Sequence, residues 1–147
     1  MSSHKPKNPL FKESVVDSFA RQEAMKTVGA SIVSVGPGCV ELGFTHDQSL
    51  TQHHGFIHAG FVTTVLDSAC GYAAFTLMPE NTTVLTIEFK TNLLAPALGE
   101  SYRAIGQVKK AGRTITVCDG ELFAMREGEE KLVATMTGTL MCVANRD

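Results

Sequence analysis

Gln52-His53-His54-Gly55-Phe56-Ile57-His58-Ala59-Gly60-Phe61-Val62-Thr63-Thr64-Val65-Leu66-Asp67-Ser68-Ala69-Cys70-Gly71 reads as a loop crowded with glycine and histidine that feeds an apolar helix. The helix is expected over roughly His58 to Leu77, ending before Pro79. It carries one acid, Asp67, about two turns inside. A carboxylate in such a setting is costly unless it is paired or functional, and residues 61–75 contain no Lys, Arg or His to pair with it. Val62, Val65, Leu66, Ala69, Ala73 and Leu77 mark the most apolar face. Gly60, Thr63, Thr64, Asp67 and Gly71 form a second stripe of small and polar residues. The helix should therefore be buried on one side and offer Asp67 to a cleft on the other.

On the N-terminal side, residues 1–8 form a polar, flexible leader, and Asn8-Pro9 reads as a cap followed by proline at the first helical position. Val15, Val16, Phe19, Met25 and Val28 then recur at helical spacing, so one helix is expected from Leu10 to about Val28. Gly29 ends it. Ile32, Val33 and Val35 run through Gly36-Pro37-Gly38 into Val40, Leu42 and Phe44, the pattern of a β-hairpin.

On the C-terminal side the chain turns β-rich. Leu85, Ile87 and Phe89 alternate with Thr86, Glu88 and Lys90 within an expected strand from Thr83 to Leu94, one face covered and one polar. Tyr102 to Val108 is a further strand, 109–113 a basic turn, Thr114 to Met125 the return, 127–130 another turn, and Leu132 to Val143 the last strand. Two helices and about six strands, the long ones consecutive after the central helix, define an α+β domain with an antiparallel sheet.

The 147 residues fit one domain, 1–147, with a formal net charge of −2 that gives no general bias toward nucleic acid. No apolar stretch reaches the roughly 20 residues of a membrane span, and the polar N-terminus lacks the apolar core of a signal peptide. Cys39, Cys70, Cys118 and Cys142 are scattered without a C-x-x-C pair. They read as small buried thiols of a reducing, cytoplasmic compartment rather than zinc ligands.

Taken together, His58-Ala59-Gly60 with Val65-Leu66-Asp67, Thr86-Ile87-Glu88 with 92–97 (Asn-Leu-Leu-Ala-Pro-Ala), and Leu98-Gly99-Glu100 carry a resemblance. From about Val28 to Val143 the chain resembles the hotdog-fold acyl-CoA thioesterases of the phenylacetate-degradation (PaaI-like) group. The resemblance implies a curved antiparallel sheet wrapped around the central helix. It implies a homodimer as the smallest active unit, commonly a homotetramer built as a dimer of dimers, with sites at the subunit interface. Ala59 departs from relatives that carry a second glycine there; alanine still supplies its N–H unless the position needs a positive φ.

Thioester hydrolysis needs a nucleophile or activated water, help for the oxyanion and an exit for the thiolate. It requires no cofactor beyond the coenzyme A of the substrate itself. Asp67 suits the first role, either attacking the carbonyl to form an anhydride or acting as general base on water. The resemblance places the thioester carbonyl against the Ala59 N–H at the positive end of the helix, with Gly60 beside it. It sets Gln52 where relatives have an Asn or Gln that touches the thioester or the water across the interface from the Asp; a solvated loop residue fits Gln52 equally. Thr86 matches a Ser or Thr near the site in some relatives, yet by parity with Glu88 and Lys90 it also reads as a solvent-facing threonine. His58 caps the helix or orients the loop near the thioester. The spacing of His54 and His58 also admits a metal reading, which Gly55 and the absence of an H-E-x-x-H motif disfavour. Lys109, Lys110 and Arg113 are the densest basic cluster for the phosphates of coenzyme A, with Lys90 and Arg103 in support, although a solvated turn explains lysines as well.

Two other classes compete. A hotdog hydratase or dehydratase wants a His and a carboxylate acting together, but His58 and Asp67 stand roughly 13 Å apart along a helix. A non-catalytic acyl-CoA binding module has no need of the acid. Ala59 and Asp67 of one chain are about 12 Å apart by the same count, too far to meet on one carbonyl, so the site calls for a second subunit. The acyl group is not legible.

Overall fold

The computed structural model describes residues 3–145. Ten residues, Phe11–Ala20, form α1, and six, Glu23–Val28, form α2. The single N-terminal helix expected from periodicity is thus two. The chain breaks at Arg21-Gln22, and Gln22 takes an extended conformation (φ −82°, ψ 105°). Asn8 is not the cap residue of α1, which is Leu10; its Oδ1 accepts from Leu10 N, and its Nδ2 donates to Ser14 Oγ. Gly29, at φ +76°, ends α2 in the left-handed conformation that glycine adopts at little cost. The described part of the leader is tied to the body at Asn8, which is buried, and at His4, whose Nε2 lies 3.3 Å from Val108 O.

The hairpin follows as β1 (Ser31–Gly36) and β2 (Cys39–Thr45), then a short 3₁₀ turn at Gln48–Leu50 and the central helix α3 (Ala59–Phe75). After it come β3 (Thr82–Leu93), β4 (Ser101–Ala111), β5 (Ile115–Arg126) and β6 (Glu129–Ala144). The β5–β6 turn is tighter than 127–130: Glu127 and Gly128, at φ +52° and +79°, make a two-residue hairpin with Arg126 paired to Glu129.

All pairings are antiparallel, in the order β1-β2-β4-β5-β6-β3. The sheet curves around α3 in the hotdog arrangement. Val65, Leu66, Ala69 and Ala73 are fully buried against it, as the apolar face required. The close fit has a cause in the sequence, because Gly106 and Gly120 stand directly opposite each other on β4 and β5. A Cβ on Gly106 would collide with the Ala69 carbonyl, and one on Gly120 would meet Cys70 Sγ at 2.9 Å. The pair forms a trough into which the helix backbone settles.

β3 departs from the simple alternation. Thr86 pairs with Leu140 and Glu88 with Thr139, so Ile87 is an extra residue in a β-bulge. The bulge reverses parity: Thr86 lies on the helix side, and beyond Ile87 it is Phe89, Thr91 and Leu93 that do so. The expectation that Leu85, Ile87 and Phe89 share one covered face is therefore corrected. All three are about half exposed (53%, 52% and 46%), and β3 is an edge strand within the chain.

Candidate active site

Two pockets divide five of the predicted catalytic residues between them, Gln52, His58 and Ala59 in one and Asp67 and Thr86 in the other. The first, about 450 Å³, is lined by Gln52, Phe56, His58, Ala59 and Val62 on one side and by Leu93 to Ala97 on the other. His58 caps α3, its Nδ1 accepting from Gly60 N at 2.8 Å. The cap leaves the Ala59 N–H, in the first turn, with no partner among the described residues. Ala59 does not have a positive φ, so alanine in place of glycine keeps the donor without strain. Gln52 is held by the loop: its Oε1 accepts from His54 N, and its backbone bonds to Phe56 and Gly55. The opposite wall is anchored through Tyr102, whose hydroxyl accepts from Gly99 N and lies 2.8 Å from His46 Nδ1, while Ile57 N donates to Ala97 O.

The second pocket, about 230 Å³, holds Asp67 with Thr86, Ser18, Gln22, Ser68 and Tyr72. Thr86 Oγ1 donates to Asp67 Oδ1 at 2.7 Å, so its hydroxyl meets the acid although the residue is exposed. Burial pushes the Asp67 carboxyl above the usual carboxylate range, and the Thr86 hydrogen bond opposes that shift. No cation pairs with Asp67 among the described residues. Facing it is a polar network that sequence reasoning missed. Gln22 Nε2 donates to Tyr72 Oη at 2.9 Å, Ser18 Oγ lies 3.1 Å from the same oxygen, and Ser68 Oγ donates to Gln22 Oε1. Its signal was hidden by treating α1 and α2 as one helix, since the break at Gln22 is what turns that side chain inward.

The basic residues scatter. Arg103 is committed to Glu41 (2.8 Å) and Glu130 (2.6 Å) and lies over the Phe123 ring. Lys109 lies 3.6 Å from Asp119; Lys90 and Lys110 are exposed on their strands. Arg113 lines a third pocket, with Leu77 and Met78. The rings of His53 and His54 lie 4.0 Å apart, tilted at 45°, and among the described residues no group of three or more His, Cys, Asp or Glu is placed to hold a metal ion. All four cysteines are free, and burial pushes the Cys118 thiol up to about 12. Among the described residues no helix is long and apolar enough to cross a membrane.

A hotdog sheet around one helix, with an unpaired acid midway along it and an open N–H at its start, defines a thioester hydrolase by class. Comparison with known proteins gives the family. A model of the thioesterase superfamily matches residues 54–131, more than half the chain. The crystal structure of a thioesterase family protein from Silicibacter pomeroyi is 55% identical, with a TM-score of 0.91 over 92% of this chain and 99% of that one. A Saccharolobus solfataricus chain that carries a provisional esterase name is 29% identical over 132 residues, 89% of this chain and 85% of its own length. The PaaI protein of the E. coli phenylacetic acid degradation operon shares the fold, with a TM-score of 0.83 over 95% and 97% of the chains at 18% identity. The chain belongs to the thioesterase superfamily.

Proposed function

We propose that the protein hydrolyses an acyl-CoA thioester to the free acid and coenzyme A in a site shared between two copies of the chain. Asp67 attacks the thioester carbonyl or takes a proton from the water that does. The carbonyl oxygen gains charge and is met by the Ala59 N–H, with Gly60 alongside and the Gln52 amide within the same pocket. The C–S bond then breaks and the thiolate leaves, taking up the proton that the attacking water gives up; where Asp67 itself attacks, water next hydrolyses the acyl–Asp67 anhydride, which frees the acid and restores the carboxylate. Thr86 holds the carboxylate toward its pocket, while His58 fixes the helix start from which Ala59 donates. Lys90, Lys109, Lys110, Arg103 and Arg113 remain the candidates for the phosphates. Arg103 is the weakest, since two carboxylates already neutralise it.

The observation that carries this reading is the partition of the machinery. Asp67 and Thr86 line one pocket and Ala59 and Gln52 another, with about 12 Å of helix between acid and donor. The exposed edge of β3, with Leu85, Ile87 and Phe89 uncovered, supports pairing with a second copy, which would bring one chain's donor to the other's acid. The decisive measurement is free thiol release from a panel of acyl-CoAs. Wild type is expected to release thiol with at least one acyl group, and Asp67→Asn to lose about 10²-fold or more in kcat. Release unaffected by Asp67→Asn would sink the mechanism, and binding without release from any member would identify a binding module instead.

A further inference from the structure

Among the described residues, three exposed cations line one pocket at the C-terminal end of α3 with no acidic residue in its lining. Lys5 and Lys7 from the leader and Arg113 from the β4–β5 turn line a pocket of about 360 Å³ with Leu77 and Met78. None of the three makes an ion pair or hydrogen bond among the described residues, and no Asp or Glu lines the pocket. The chain as a whole carries a formal charge of −2, so the concentration is local.

The placement follows from how the leader is held. The His4 ring, with Nε2 at 3.3 Å from Val108 O, lies on the β1–β2 turn at Gly38. A Cβ there would come within 2.7 Å of His4 Cδ2, and φ is +73°, so glycine is what lets the leader lie down. Four residues on, buried Asn8 is fixed by Leu10 and Ser14. Lys5 and Lys7 are thus carried between two pinned points onto the same cavity as Arg113.

Like charges held together in a concave surface repel one another and attract a counter-ion. Two ammonium groups and a guanidinium fork match the oxygens of a phosphate. The volume lies in the range of about 300–1,000 Å³ typical of small-molecule sites. We infer that this pocket binds a phosphate-bearing ligand, its oxygens on Lys5, Lys7 and Arg113. The ligand has two sources: the nucleotide end of coenzyme A, which rests on the acyl-CoA reading above, or a free phosphate compound. From Asp67 to Leu77 is about 15 Å along the helix, a span that suits the extended arm between a thioester and its nucleotide. The site enlists the leader and leaves Lys109 and Lys110 outside.

Calorimetric titration of the full chain separates the cases. Adenosine 3′,5′-bisphosphate and inorganic phosphate are titrated separately into wild type, a Lys5→Gln/Lys7→Gln/Arg113→Gln variant, and a charge-matched Lys12→Gln/Arg126→Gln/Lys131→Gln control. Thermal unfolding establishes that each is folded. Bisphosphate is expected to bind wild type and control alike and at least about tenfold more weakly to the pocket variant, with binding weakened by salt. A clear preference for bisphosphate assigns a nucleotide ligand, and equal binding of inorganic phosphate assigns a free phosphate. Binding that survives the pocket substitutions, falls equally in the control, or is absent from wild type overturns the site. Heat of binding is read without turnover, so failure to cleave any acyl-CoA bears on the hydrolase reading and not on this one.

Discussion

Asp67 holds two opposed requirements in one side chain. Burial raises its carboxyl above the ordinary range, and the Thr86 hydroxyl draws it back. If the ionised form is the active one, the acid limb of the pH–rate profile lies above the usual carboxylate value. Thr86→Val, which removes the donor to the charged form, moves that limb to still higher pH. A limb unchanged in the variant would remove Thr86 from this role. The linkage to stability has the opposite sign. Between the ordinary and the raised value the folded state holds the proton more tightly than the unfolded chain, so stability falls as pH rises through that window. At neutral pH the charge is a burden, and Asp67→Asn is expected to raise the unfolding midpoint while it lowers activity. Asp67 was legible in the sequence because an acid without a cation in an apolar helix demands an explanation. Thr86 was not, because parity with Glu88 and Lys90 assigns it to the solvent face, and the bulge at Ile87 breaks that parity. Ser18, Gln22 and Tyr72 were equally hidden, since their meeting depends on a break that helical periodicity runs straight through.

At the scale of elements, α3 was read nearly to its ends, His58 and Phe75 standing where capping and the approach of Pro79 put them. The strands were legible in order and in approximate extent. Their side-chain phase was secure only where no bulge intervened. What positions α3 is the glycine trough beneath it. Gly106→Ala places a methyl group against the Ala69 carbonyl and is expected to cost about 1–3 kcal/mol through displacement of the helix. Chemical denaturation measures the loss, and an unchanged midpoint would mean that the helix can rise without penalty. The start of α3 permits a cleaner substitution. Ala59→Pro removes the N–H at a position where proline suits a helix, and His58 before it, at φ −59° and ψ 137°, already has the extended conformation that a following proline requires. Stability should be nearly unchanged, while kcat falls about 10²–10³-fold if that N–H meets the oxyanion.

For the whole molecule, the separation of Ala59 from Asp67 makes a prediction about mixtures. Asp67→Asn and Ala59→Pro chains are each inactive alone. Mixed, unfolded and refolded together, they form hybrids in which the acid of one meets the donor of the other, and about a quarter of wild-type activity returns, because half of the dimers are hybrid and each has one intact site. No recovery would place the complete site within one chain. Charges at Leu85 and Phe89 are expected to dissociate the assembly and abolish activity together, as sedimentation and thiol release would record. Helix geometry alone calls for a partner; the surface proposed to meet it was not legible, because alternation predicted a covered face where the chain leaves one bare. β3 is in effect two half-strands spliced out of step at Ile87. The earlier half delivers Thr86 to the acid, and the later half delivers Thr91 to Thr63 and Leu93 to the pocket of Ala59. A deletion of that one residue would turn one half inside out while preserving every other letter of the chain. An insertion or deletion at this splice is therefore a heavier lesion than most substitutions in the pockets themselves, and the spacing from Thr86 to Leu93 is as much a part of the site as the residues it separates.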